Sequence, residues 1–269
     1  MIVQSLWVGD TLTDMEIYSI KSFLKLGYDF HLYTYNKVDR LPKSKKGWGK
    51  LIIKNANEII LEKNIFKLKE MYLPFADIWR YKLLYLKGGY WVDLDLIAIK
   101  DFHKKFENME YLFSSERTIQ KGAYKLKQKY VPNIGVLKAP KGSPFYKEAY
   151  DISMEIQNKG NNKDKIKYMR IIRDLIEKYN YSKYVLKPEY FCHLSWWHAK
   201  DAYLPKDIKN PFVEKYGVKG YSLNSMFNGK NVYTIHLWRS LLVHKYKIDL
   251  NGKYMEGTLW EEIKKYIDN

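Results

Sequence analysis

The sequence predicts an α/β protein built on a mixed, mostly parallel sheet flanked by helices. Three observations carry this. Short apolar runs alternate with helical patterns through the first hundred residues, the signature of strands joined by crossover helices. The 269 residues are long enough for a substantial core. A 46% hydrophobic fraction rich in Tyr, Phe and Trp supplies enough apolar surface to offset the entropy of ordering the chain.

The elements follow in order. "IVQSLWV" (2–8) reads as a strand ending at Gly9. A helix follows in "TDMEIYSIKSFLKLG", with Thr13 as N-cap, Glu16 three residues on, one apolar face of Ile17, Ile20, Phe23 and Leu24, and Gly27 at the C-terminal end. "FHLYTY" (30–35) is a second strand, and the polar, Lys/Gly-rich stretch 36–50 a loop. "PFADIWRYKLLYLK" (74–87) is a helix with Pro in its first turn and the Gly88–Gly89 pair at its end. "YWVDLDLIAI" (90–99) reads as one strand, with its carboxylates inside it or at its end. Beyond Asp101 the pattern gives short strands near 111–115 and 134–138, helices near 144–158 and 164–179, a strand near 232–237 and a closing helix near 258–267. The whole reads as a single domain over 1–269, with a ligand-binding half (1–100) and a second half (101–269) carrying a helical insertion.

Lys and Arg number 47 against 30 Asp and Glu, a net charge of +17. Such a surface attracts phosphate, anionic lipid or nucleic acid, and charge alone does not choose among them. The single cysteine, Cys192, excludes an internal disulfide framework and a four-thiolate zinc site. The N-terminal stretch lacks a basic leader with a long apolar core, and no window has the roughly 18 apolar residues of a membrane span. The chain therefore reads as cytoplasmic, with a basic surface suited to peripheral attachment at the inner face of the plasma membrane.

Asp93 and Asp95 are the first candidates for chemistry. In a strand, residues two apart point the same way, so both carboxylates would converge. Two like charges held that close raise one pKa unless a cation lies between them. Oxygen ligands suit Mg²⁺ or Mn²⁺, which bind one or two carboxylates together with substrate phosphates. The end of a strand in an open α/β sheet is also where ligands usually bind. The plain alternative is a turn capped by Asp93 with Asp95 in solvent. An aspartate-nucleophile phosphatase would need a hydroxyl residue close behind, and "DLDLIAI" has none.

The stretch "ADIWRYKLLYLKGGYWVDLD" resembles the sugar-binding, Asp-x-Asp-containing segment of family 32 glycosyltransferases and the related glucosylating toxins: Asp77, Arg80, Gly88–Gly89, an aromatic at 90, Asp93 and Asp95 fall in that family's order and spacing. "SLWVGD" is similar to the family's first strand, "VPNIGVLKAPKGSPF" to its Asn-containing strand and Gly-x-Pro turn, and "VYTIHLWRSL" to its C-terminal His-x-Trp segment. The region 140–230 carries little resemblance and is where an acceptor would be selected. The resemblance implies a GT-A fold, a divalent metal (Mn²⁺ or Mg²⁺), a UDP-sugar as donor and retention of anomeric configuration. The implied reaction moves a hexose or N-acetylhexosamine to a glycan or lipid-linked glycan of a capsule, lipopolysaccharide or related surface polysaccharide.

Under that resemblance Asp95 and Asp93 are metal ligands, with Asp93 also able to touch the donor ribose or sugar, and His236 is the third ligand. Asp77 and Arg80, sharing a helix face, hold donor hydroxyls, with Arg80 also near the phosphate. Trp7 stacks on uracil beside Val8 and Gly9. Asn133 hydrogen-bonds a donor or acceptor sugar, Glu116 touches the acceptor, and Trp196, Trp197 and Trp238 form an aromatic platform, with Trp238 at the donor. The competing reading is a basic, aromatic-rich nucleic-acid-binding module without enzymatic activity; no nucleic-acid motif is present, and the glycosyltransferase reading excludes nucleic acid as a partner.

Overall fold

The computed structural model describes residues 1–68, 71–119, 128–158, 165–204 and 221–269, and the side chains of all of these except 128–129 and 165–169. Its centre is a six-stranded sheet of order β3-β2-β1-β4-β7-β6. These strands are β1 (Ile2–Trp7), β2 (Asp29–Thr34), β3 (Leu51–Asn55), β4 (Gly89–Val92), β6 (Leu112–Ile119) and β7 (Gln128–Ala139), with β5 (Leu96–Ala98) lying outside the sheet. β1 pairs in parallel with β2 and β4, and β2 with β3, whereas β7 runs antiparallel to both β4 and β6. The mixed, mostly parallel sheet is thus as expected, and both halves of the sequence contribute strands to it.

Helices cover its two faces. α1 (Asp14–Lys25) begins at a capping box: Glu16 accepts from the Thr13 main-chain N–H at 2.7 Å, and Gly27, with φ +84°, follows its end. Ile20, Phe23 and Leu24 bury the helix against Val3, Phe30, Leu32, Tyr90 and Val92. On the other face, α2 (Leu73–Leu86) packs Ile78, Trp79 and Leu83 with Phe145 and Tyr146 of α4 (Pro144–Asn158) and Leu175 of α5 (Lys165–Lys178). The short α3 (His103–Phe106), α6 (Pro188–Phe191) and α7 (Leu223–Asn228) lie between these elements and α8 (Leu259–Asp268). A third core joins α1 through Met15 to Ile97, Ile235, Trp260 and Ile263.

One expectation needs correction, and one strand was not anticipated. The apolar run 90–99 is not one strand. β4 ends at Val92, Asp93–Asp95 turn, and β5 then pairs antiparallel with β8 (Thr234–His236) in a separate two-stranded sheet. The Asp93 N–H completes the β4–β7 ladder on Gly135 O at 2.8 Å, and the Leu96 N–H then bonds back to Asp93 O at 3.4 Å. The two carboxylates therefore converge because the chain turns, and strand alternation is not the cause. Leu51–Asn55, just past the expected loop, forms the edge strand β3. Parts of the stretch assigned to acceptor selection, residues 159–164 and 205–220, lie outside the described residues.

The glycine pair makes the turn from α2 into β4 at φ +67° and +82°. A Cβ on Gly88 would sit 2.4 Å from the Lys141 amide nitrogen and 2.9 Å from the Pro140 carbonyl carbon, both backbone atoms that cannot swing aside. Left-handed strain and steric overlap add, so Gly88→Ala is expected to lower stability by about 2–4 kcal/mol in chemical denaturation; a loss below about 0.5 kcal/mol would contradict this account of the turn.

Candidate functional site

Three chain segments meet at the Asp93–Asp95 turn. α2 brings Arg80, whose Nη1 donates to Asp93 Oδ1 at 2.9 Å and to Ile134 O at 2.8 Å, while Nη2 lies 3.1 Å from Asp77 Oδ1. Trp91 Nε1 donates to the same Asp93 oxygen at 2.8 Å, and the guanidinium rests 4.7 Å over the Trp91 ring. The i, i+3 spacing puts Asp77 and Arg80 on one helix face, where they form an ion pair, and Arg80 also reaches across to Asp93.

β8 brings the third segment. Its register sets His236 opposite Leu96, one residue past Asp95. His236 Nε2 lies 3.2 Å from Asp95 Oδ1, the Arg239 main-chain N–H donates to Asp95 Oδ2 at 2.8 Å, and Leu237 N–H donates to Asp95 O at 2.8 Å. Trp238, at φ +60°, stacks flat on His236 with ring centres 4.0 Å apart and donates Nε1–H to Leu194 O at 2.9 Å.

One ligand atom each from Asp93, Asp95 and His236 lies within 4.8 Å of the others, a set able to hold a divalent cation. One detail fits that use: Asp95 Oδ1 is buried without a hydrogen-bond partner among the described residues despite the nearby imidazole. Gly135 lies beside both ligands, where a Cβ would be 3.5 Å from His236 Cε1 and 3.6 Å from Asp93 Oδ2 but would crowd Asn133 Oδ1 at 2.9 Å. Carboxylate oxygens with one imidazole nitrogen suit Mn²⁺ or Mg²⁺ more than a thiolate-seeking metal.

The turn borders a cavity of about 370 Å³ lined by Trp7, Val8, Arg80, Trp91, Asp93, Asp95 and Arg239, among others. Trp7 Nε1 is buried with no hydrogen-bond partner among the described residues. Gly9 follows at φ +153°, where a Cβ would stand 3.2 Å from that nitrogen. Asn133 lies behind the site: its Nδ2 donates to Glu116 at 2.7 Å and its Oδ1 accepts from Gly135 N–H at 2.7 Å, so two residues proposed separately form one unit. The aromatic candidates divide. Trp238 covers His236, whereas Trp197 is buried edge-on against Trp196 at 5.3 Å.

Sequence reasoning did not single out Gly135 and Arg239, and it read Glu16 only as a capping residue. Fully buried, Glu16 also accepts from Arg239 Nε at 2.6 Å, tying the start of α1 to the His236–Arg239 segment. The acidic Glu16 in a buried helix start and a basic residue after His-x-Trp were the available signals, and neither identifies its partner 223 residues away.

The charges are unequal. Burial raises the Asp93 pKa, Arg80 opposes this, and the Asp95 charge adds to the rise. Burial also acts to raise Asp95, yet His236 and Arg239 outweigh it and hold that carboxyl below its usual range. His236 is buried, which disfavours its cation, but Asp95 and then Cys192 hold its pKa well above the ordinary value. Asp77 is pushed up to about 6 by burial, with Arg80 working against the rise. In chelator, the His236–Asp95 ion pair therefore contributes stability that is complete below about pH 6.5 and is lost as pH rises through the elevated folded value of the histidine. Raising the pH from about 6 in EDTA should lower the unfolding temperature of the wild type relative to His236→Gln; parallel curves for the two proteins would contradict this pairing.

Residues 13–117 match the family model described as "Glycosyltransferase sugar-binding region containing DXD motif". Solved structures with some likeness include PaToxG glycosyltransferase, at 14% identity over 66% of this chain and 69% of that one, with a TM-score of 0.45. The apo form of the glycosyltransferase GlyE in Streptococcus pneumoniae TIGR4 is 14% identical over 99% of this chain and 59% of its own, with a TM-score of 0.47. The active-site mutant Q189E of LgtC is 12% identical over 100% and 95%, with a TM-score of 0.48. None of the curated proteins matches the chain. The parallel β3-β2-β1-β4 block, the reversed β7 and the flanking helices have the GT-A arrangement expected from the sequence. The Asp93-Leu94-Asp95 turn lies inside the matched region, so residues 13–117 carry the glycosyltransferase sugar-binding region containing the DXD motif.

Proposed function

We propose that this protein is a metal-dependent, retaining glycosyltransferase that moves a hexose or N-acetylhexosamine from a UDP-sugar to a glycan or lipid-linked glycan. The observation that carries the reading is the convergence of Asp93, Asp95 and His236 beside a cavity large enough to take part of a nucleotide sugar and walled by Trp7 and Arg80.

Asp93, Asp95 and His236 would hold the metal. When bound, a divalent cation supplies Lewis-acid neutralisation of a departing diphosphate. The chain's own residues do the rest. Arg80 and Trp91 fix the Asp93 carboxylate, leaving its second oxygen facing the space beside Gly135. The Arg239 N–H fixes Asp95, and the Trp238 ring shields His236. Trp7 offers a ring face and an unengaged N–H to a base at the cavity wall. Asp77, partly exposed beside Arg80, offers a carboxylate oxygen to a sugar hydroxyl. Held by these partners, the two aspartates are suited to binding, and in a same-face transfer the departing phosphate oxygen takes the acceptor's proton.

No helix among the described residues is long and apolar enough to cross a membrane. The +17 charge is suited to peripheral contact with an anionic membrane surface, where a lipid-linked acceptor would be met. Both are part of the proposal, as is action inside the cytoplasm.

Asp95→Asn keeps the shape of the turn and removes a ligand charge. Its transfer or donor-hydrolysis rate with Mn²⁺ is expected to fall about a hundredfold or more, the size of a lost Lewis-acid contribution of several kcal/mol. Wild-type protein that turns over UDP-sugars equally well in EDTA would refute metal dependence.

A further inference from the structure

We infer that Arg239 is the cation that receives the diphosphate of the donor nucleotide, and that Glu16 is the residue that positions it. This rests on the donor reading above. A nucleotide sugar brings negative charge to a cavity walled by Asp93 and Asp95, so a protein cation that faces the same space as the metal ligands would favour its binding. Arg80 is the cation that the motif supplies, but its guanidinium is 4% exposed and committed to Asp77, Asp93 and the Ile134 carbonyl. Its charge is matched within the protein.

Arg239 differs in each respect. It lines the same cavity, and its side chain is 34% exposed. Its position is set at three points: the main-chain N–H on Asp95 Oδ2, Nε on Glu16 Oε1, and the guanidinium 5.4 Å over the Trp7 ring. Only Nε carries a side-chain hydrogen bond among the described residues, so the four N–H groups of Nη1 and Nη2 remain for a ligand. That leaves the planar two-pronged edge, the geometry that grips a phosphate through paired N–H···O bonds.

The anchor is built for rigidity. Glu16 is wholly buried and spends one oxygen on the Thr13 cap and the other on Arg239. Trp238, just before Arg239, has φ +60°, a conformation costly for a bulky residue and held only where surrounding contacts require it. It turns the chain so that the Trp238 ring covers His236 while the next N–H meets Asp95. One segment thus delivers a metal-ligating imidazole and, three residues on, a phosphate-facing guanidinium.

The test is equilibrium binding of UDP, by calorimetry, and of uridine, by ligand-observed NMR, to wild type, Arg239→Gln, Arg239→Lys and Glu16→Gln at fixed salt and Mn²⁺. Arg239→Gln should weaken UDP about 10-fold to 100-fold while uridine changes less than about twofold, because the lost bonds are charge-assisted and made to phosphate alone. Arg239→Lys should fall between, keeping the charge and losing the fork. Glu16→Gln should weaken UDP about threefold to tenfold, again sparing uridine, since its effect comes through the aim of Arg239. UDP bound equally by wild type and Arg239→Gln would overturn the inference and leave the donor reading standing, as would equal losses for UDP and uridine. Wild type that fails to bind UDP would overturn both. Should Arg239→Gln not fold, an unchanged UDP-to-uridine affinity ratio in Arg239→Lys overturns the inference by itself.

Discussion

Two carboxylates brought together at a turn between two sheets repel each other, and the rest of the site is organised around that repulsion. Like charges in a poorly hydrated setting persist only when each has its own compensating partner or when a cation joins them. Here the partners come from opposite directions. Arg80 and Trp91 hold Asp93 from the α2 side, while His236 and the Arg239 amide hold Asp95 from the C-terminal side. Each aspartate has its own hydrogen-bonding partners, and the two carboxylates face a common point.

This division explains why the strand must break at Asp93. A continuous strand would keep Asp95 in the main sheet beside β7. The turn instead hands the chain to the two-stranded β5–β8 sheet, and the antiparallel register of that sheet places the imidazole beside Asp95. Sheet topology, in this sense, performs the assembly: β7 supplies the Gly135 carbonyl that ends the ladder. The Glu16–Arg239 contact then ties the C-terminal segment to the start of α1, and the Arg239 guanidinium meets the Trp7 ring on the same cavity wall.

Much of this was legible in the sequence wherever the signal is local. The Thr13–Glu16 capping box, the α2 helix with its Pro74 start and the Gly88–Gly89 turn depend on neighbours a few residues apart, and all are found. The carboxylate pair and the histidine were legible through the family's motif, and the structure brings them together. The break inside "YWVDLDLIAI" was not legible, because its apolar run is unbroken and its cause, pairing with residues 234–236, lies far along the chain. β3 was hidden for a related reason: five residues on a sheet edge with one face toward solvent carry little periodic signal. Arg239 and Gly135 could not be assigned at all, since each matters only through a partner that folding supplies.

The most direct test of the central claim is a crystal of the protein soaked with UDP and Mn²⁺ and measured at the manganese absorption edge. An anomalous peak coordinated by Asp93, Asp95 and His236 is the result expected from their convergence. UDP bound in the cavity with the manganese signal elsewhere, or with none, would contradict the claim that this turn exists to hold a cation.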